Sequence, residues 1–216
     1  MHSPNAASHT SPRIRILITS DLHEVRLEDV APKDILDSLD FIVSAGDYGN
    51  YPYPKPAIGV YGNHCSLSEV ASEKPTLINV DRSPREHMGM TFLGIAGVFC
   101  GEKRYHSKRR MWYHQSEPDI AKYLEQAPRA TFFITHTRAH GVFDKMRGWN
   151  LGSKVLRSYV DRTQPDFYVS GHLTNPGRTK MAGRTLCINA TGPDWNYVLL
   201  DLPEKRTRFM KREQDA

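Results

Sequence analysis

Long apolar runs are missing from this chain. No window of its 216 residues approaches the ~18 consecutive apolar residues that a membrane-spanning helix requires. Residues 1–12 are small and polar with no apolar centre, which argues against a secretory signal. They read as a disordered leader ahead of one domain over residues 13–216. Cysteine is scarce: Cys65, Cys100 and Cys187 are odd in number and far apart. That spacing argues against a disulfide framework and fits the reducing cytoplasm. Neither sign of charge dominates, with 29 Lys and Arg against 24 Asp and Glu. The net +5 invites an anionic partner without requiring nucleic acid, because electrostatic steering serves small phosphates equally well. Internal repeats and low-complexity tracts are also absent.

What remains is the composition of a globular α/β chain with an excess of histidine. Apolar residues make up 39% and charged residues 25%, and ten histidines hint at metal or phosphate chemistry. The isoleucine-rich run at residues 14–18 reads as a buried strand and stops at Thr19-Ser20-Asp21-Leu22-His23. A carboxylate and an imidazole two positions apart at a strand end can converge on one cation; Asp oxygen and neutral His nitrogen together suit a first-row divalent metal. Taken alone, the triplet is a weak signal.

Further runs end in the same way. Residues 32–39 read as a short helix with Pro32 in its first turn. Residues 40–44 read as a strand leading into Gly46-Asp47, and residues 57–61 as one leading into Gly62-Asn63-His64-Cys65. Strands are also expected at 76–80 and 90–96. Ser116 opens a helix with acids in its first turn, and Pro128 stops it. Residues 130–135 lead to His136-Thr137-Arg138-Ala139-His140, and 166–170 lead to Gly171-His172-Leu173-Thr174, with a Ser153-capped helix between them. Two hairpins close the chain, one turning at Gly183 and one around Pro203-Glu204. Strands alternating with helices place ligands beyond the carboxyl ends of the strands.

Five strand ends therefore carry, in order, Asp-x-His, Gly-Asp, Gly-Asn-His, His and Gly-His. This order resembles the calcineurin-like metallophosphoesterase superfamily, from Ile14 to about Leu202. The resemblance implies a four-layer α/β/β/α sandwich whose loops hold two divalent metal ions, manganese foremost, with iron, zinc, cobalt or nickel as alternatives. It implies Asp21 and His23 on the first metal, Asp47 bridging, and Asn63, His136 and His172 on the second. It further implies a phosphoesterase that hydrolyses a phosphodiester or phosphomonoester by direct attack of metal-bridging hydroxide, with His64 protonating the leaving oxygen and Asn63 and His64 touching substrate. Arg138 and His140, just beyond His136, are further candidates for the substrate phosphate.

The sequence departs from the family pattern at two places. Thr174 stands where many members carry a second histidine for the first metal, which predicts a weaker, exchangeable first site. Cys65 stands where an acid often follows Gly-Asn-His and reads as a small packing residue. An alternative of another class follows from both departures: a scaffold or interaction protein that kept the fold and lost turnover. A third reading rests on Tyr105, His106, Arg109, Arg110, Trp112 and His114 in the basic, aromatic segment 103–114, which would suit single-stranded nucleic acid or a lid over a small phosphodiester. No membrane partner is expected, and oligomeric state is not legible at this level.

Overall fold

The computed structural model describes residues 12–23, 25–48, 51–65, 77–100 and 114–211. The proposed leader (apart from Pro12) and residues 101–113 of the basic, aromatic segment lie outside them. Two six-stranded sheets face one another. The first carries β1 (Ile14–Thr19), β2 (Phe41–Ser44), β3 (Ala57–Gly59) and β4 (Leu77–Asn79) in parallel. Its other side is extended by β15 (Tyr197–Leu202) and β16 (Arg206–Met210), both paired antiparallel. The second sheet has β6 (Met90–Ile95), β9 (Phe132–Thr135), β12 (Phe167–Ser170) and β14 (Thr185–Asn189) in parallel, with β5 (Arg85–His87) and β13 (Thr179–Ala182) antiparallel at its edges.

The period-two alternation of a strand decides what each face buries. Phe132 and Ile134 join Phe167 and Phe92 in the core between the sheets, where the Phe41 ring meets Phe92 edge-on at 5.7 Å. Phe133, between them in sequence, points the other way, into a second core with Tyr168, Ile120, Leu124, Leu156 and Tyr159. That second core is closed by α2 (Glu117–Gln126) and α3 (Lys154–Thr163). Ser153 caps α3 by accepting the Val155 and Leu156 N–H groups. The residues of β1 and β2 that alternate with the inward ones, Leu17 and Ile42, face the opposite side, where α1 (Lys33–Asp37) and the turn at Leu27–Asp29 contribute Leu27, Val30 and Leu36. The layers are therefore helix, sheet, sheet, helix, as the resemblance implied. Among the described residues no helix is long and apolar enough to cross a membrane.

Three short pairings were not anticipated. β7 (Val98–Cys100) pairs in parallel with β8 (His114–Ser116), on either side of residues 101–113. β10 (Lys145–Met146) and β11 (Trp149–Asn150) form a tight hairpin. β5 is a three-residue antiparallel edge. None carries enough alternation to announce itself against a loop.

Candidate metal centre

Every metal-competent side chain named from the sequence follows the carboxyl end of a parallel strand: Asp21 and His23 after β1, Asp47 after β2, Asn63 and His64 after β3, His136 after β9, and His172 after β12. The chain must turn sharply there. Asp21, His23, Asp47 and His172 all hold a left-handed backbone, with φ of 56°, 52°, 51° and 67°. Each such non-glycine conformation costs about 1–3 kcal/mol, and such residues cluster where surrounding contacts fix them for function. Those contacts are explicit: the Asp21 N–H donates to the Gly46 carbonyl at 3.0 Å, and the His23 N–H to the Asp47 carbonyl at 2.9 Å.

Each carboxylate uses one oxygen to hold a neighbouring loop. Asp47 Oδ1 accepts the His64 N–H at 2.7 Å. Asp21 Oδ2 accepts the His172 N–H at 2.9 Å and the hydroxyls of Ser20 and Thr191, each at 2.5 Å. The glycines of two motifs make room for this. A Cβ on Gly62 would lie 2.1 Å from Asp47 Oδ1, and one on Gly171 would lie 2.0 Å from Ser20 Oγ and 2.8 Å from Asp21 Oδ2. Thr191 escaped the sequence reading; its signal is a hydroxyl two positions past the end of a buried strand. Ser20 was visible beside Asp21 but without a role.

His136 is fully buried. Its Nδ1 sits 2.8 Å from the Ala45 carbonyl, which can only accept, so that nitrogen carries a proton. In the neutral ring Nε2 then directs its lone pair at two oxygens, Asn63 Oδ1 at 3.0 Å and Asp47 Oδ2 at 3.2 Å. Asp47 Oδ2 is itself buried and makes no hydrogen bond, its approach to Nε2 being too poorly aligned. An orphaned carboxylate oxygen is costly in the interior. Ligand atoms of Asp21, Asp47 and His136 lie within 4.8 Å of one another. Acceptors converging with no donor among them fit a cation, and the carboxylate, amide and imidazole set suits a first-row divalent ion.

The electrostatics agree. Burial alone would lower the His136 pKa, but Asp47, Asp21 and the Ala45 carbonyl outweigh it and raise it. A proton is thus drawn to the place where the acceptors meet. Burial would raise the Asp47 carboxyl, yet His136 and the His64 N–H hold it below its ordinary value. Burial and the neighbouring His136 push His172 down to about 4, leaving its imidazole neutral, and its ring lies 4.9 Å from that of His136.

The other half of the site is more open. His23 is exposed and meets the exposed His64 ring edge-on at 5.4 Å. Thr174 is exposed as well, and with Asp21, His23, His172 and Thr191 it lines a cavity of about 290 Å³. A larger cavity of about 620 Å³ also touches His172 and is walled by Phe99, Arg138, Leu173 and the first turns of α2 and α3.

Two residues expected to meet substrate are placed otherwise. Arg138 is 1% exposed. Its guanidinium donates to the carbonyls of Gly171 at 2.9 Å, Phe143 at 2.6 Å and Leu173, and to Asn189 Oδ1 at 2.8 Å. With four of its five N–H donors committed it braces the His172 loop, and burial lowers its pKa to about 10. His140 turns to Asp144, 3.5 Å away, and lines neither cavity. Cys65 is buried and accepts the Gly62 N–H at 3.3 Å. Burial pushes its thiol to about 11, as befits a packing residue.

No protein-family profile matches the chain. It is similar to the UPF0046 protein K07C11.7 of Caenorhabditis elegans, 25% identical over 210 residues, spanning 83% of this chain and 70% of that protein. Among solved structures it is similar to TT1561 of Thermus thermophilus, with a TM-score of 0.59 at 16% identity over 93% of this chain and 99% of that one. It is also similar to a conserved protein of Streptococcus pneumoniae described as a predicted phosphoesterase, with a TM-score of 0.50 at 15% identity over 94% of this chain and 92% of that one.

Proposed function

From a chain built on the calcineurin-like metallophosphoesterase fold, we propose a metal-binding protein with one well-built cation site and impaired turnover, acting through interaction more than through hydrolysis. The observation that carries this reading is the inequality of the two halves. Among the described residues, the acidic and imidazole ligands that converge are Asp21, Asp47 and His136, with the Asn63 amide against them and His172 beside them. His23 stays outside that set, and Thr174 offers no nitrogen. The cation is manganese or another first-row divalent ion, and the chain works in the cytoplasm, a placement supported by the buried, unpaired Cys65 and Cys187.

A second reading rests on His64. Its backbone is locked to Asp47 while its ring stays exposed beside His23. That placement suits a general acid for the leaving oxygen of a phosphodiester or phosphomonoester. A pair of bound divalent ions would neutralise phosphate charge and acidify the attacking water. In this reading Asp21, His23 and Asp47 hold the first ion, Asp47, Asn63, His136 and His172 the second, and Asn63 and His64 contact the ester.

Metal analysis of protein dialysed after manganese loading, paired with hydrolysis of a chromogenic diester and monoester, separates the two. One retained ion per chain and turnover no greater than that of Asn63→Ala is expected. Two retained ions and turnover well above that control would install the hydrolase in its place.

A further inference from the structure

At the opposite end of β1 from the metal ligands, four arginines surround one buried carboxylate. Asp201 is 0% exposed and lies on β15. Its Oδ1 accepts Arg15 Nε at 2.8 Å; its Oδ2 meets Nη2 of Arg13 at 3.2 Å, of Arg206 at 3.2 Å and of Arg208 at 3.3 Å. Arg15 is the least exposed of the four, at 21%, with its Nη1 on Ser38 Oγ. The side chains of Arg13, Arg206 and Arg208 remain 54%, 58% and 42% exposed. Asp40, which accepts the Arg15 backbone N–H at 2.7 Å, is a second carboxylate at this end. Four cations therefore face two carboxylates. The three outer guanidiniums crowd around one oxygen atom, and each has N–H donors to spare.

The strand order says what kind of counter-charge fits. Arg15, Asp201 and Arg206 are direct cross-strand partners on β1, β15 and β16. Sign alternates along that row: plus, minus, plus. β16 is the last strand of its sheet, and no described residue pairs with its outer edge. The row thus stops on a cation beside a line of open backbone groups, and Arg208, two residues on, shares its face.

The geometry points to the outer edge of β16 as a docking edge for an extended acidic segment of a partner protein. That segment adds a strand, and its carboxylates at alternate positions fall opposite Arg206 and Arg208. Backbone hydrogen bonds along β16 supply pairing, and the charged row supplies register and selectivity. Opposite charges directly across a strand pair attract, and guanidinium can grip carboxylate with two parallel bonds. Arg206 is level with Arg15, about 20 Å along β1 from Asp21 at about 3.3 Å per residue, so the charged end of the edge operates whichever reading of the metal centre holds.

The test measures fluorescence anisotropy of the full chain with a labelled peptide of alternating Glu and Val, at low salt. Three comparisons accompany it: the same peptide with Lys for Glu, the Glu peptide N-methylated at alternate residues, and the variants Arg206→Gln and Arg208→Gln. Saturable binding is expected, weakened about ten-fold or more by the paired variants, by N-methylation and by the Lys peptide. Arg208→Gln alone, which leaves Asp201 three arginines, serves if the pair does not fold; it should weaken binding with metal content unchanged. Absence of binding would overturn the proposal. So would equal binding of the N-methylated peptide, or displacement by an equal concentration of inorganic phosphate, because either would reduce the surface to a simple anion patch.

Discussion

Asp201 and Asp47 are among the buried carboxylates of the described residues, and they are satisfied in opposite ways. Asp201 sits at the start of the sheet with its oxygens taken by guanidiniums. Asp47 sits at the far end of the same sheet, equally buried, with one oxygen on the His64 N–H and the other without a hydrogen bond. A buried charge needs a counter-charge to offset lost hydration. The chain supplies its own at Asp201. At Asp47 it supplies only the titratable His136, beside the Asn63 amide oxygen, a place that a cation from solution can take over from the proton.

The comparison breaks most readily at Asp47. Asp47→Ala should lower manganese affinity by about a hundred-fold or more in titration calorimetry. Unchanged affinity would mean the cation, if any, lies elsewhere. A buried charge of the other sign sharpens the contrast: Arg138 is met by carbonyl dipoles. Arg138→Ala should cost about 3 kcal/mol in urea unfolding by leaving those carbonyls unpaired. A loss in ligand binding with stability intact would restore it to the substrate face.

Asp201→Asn should cost about 2 kcal/mol, less than a fully enclosed pair because three of its partners reach solvent. Burial opposes ionisation of Asp201, but Arg15 and Arg13 outweigh it and hold the carboxyl at about 2, against 3.8 unperturbed. A depressed folded-state value means its contribution is present above pH 3.8 and is lost as pH falls through about 2. The wild type should therefore lose stability across that window by an amount missing from Asp201→Asn. The smallest effect is expected from Thr174→His, which adds a nitrogen to the open half and should raise retained metal from one ion towards two. Unchanged stoichiometry would show that something other than residue 174 limits that half.

Much of this was legible in the sequence because burial and chemistry coincide at strand ends. The runs at 16–19, 41–44 and 132–135 are buried on both faces, so each stops where the polar residues begin, and the ligands stand at those stops. Arg138 shows the limit of this: an arginine two positions past His136 looks like a phosphate ligand, and nothing local reveals the carbonyls of Gly171 and Leu173 to which it donates. Thr191 lies 170 positions from the carboxylate it serves, so only the folded chain joins them. Nothing local joins the arginines around Asp201 to it, because that pairing is set by register across three strands.

The pairing of Asp47 with His136 has a mechanical consequence. Asp47 follows a strand of the first sheet and His136 a strand of the second, so an ion gripped by both is a rivet through the seam of the sandwich at its open end. Loading it should stiffen both sheets together, and the melting temperature should climb with the logarithm of added manganese. Chelation would let that end of the molecule breathe while the arginine-clasped end stays shut.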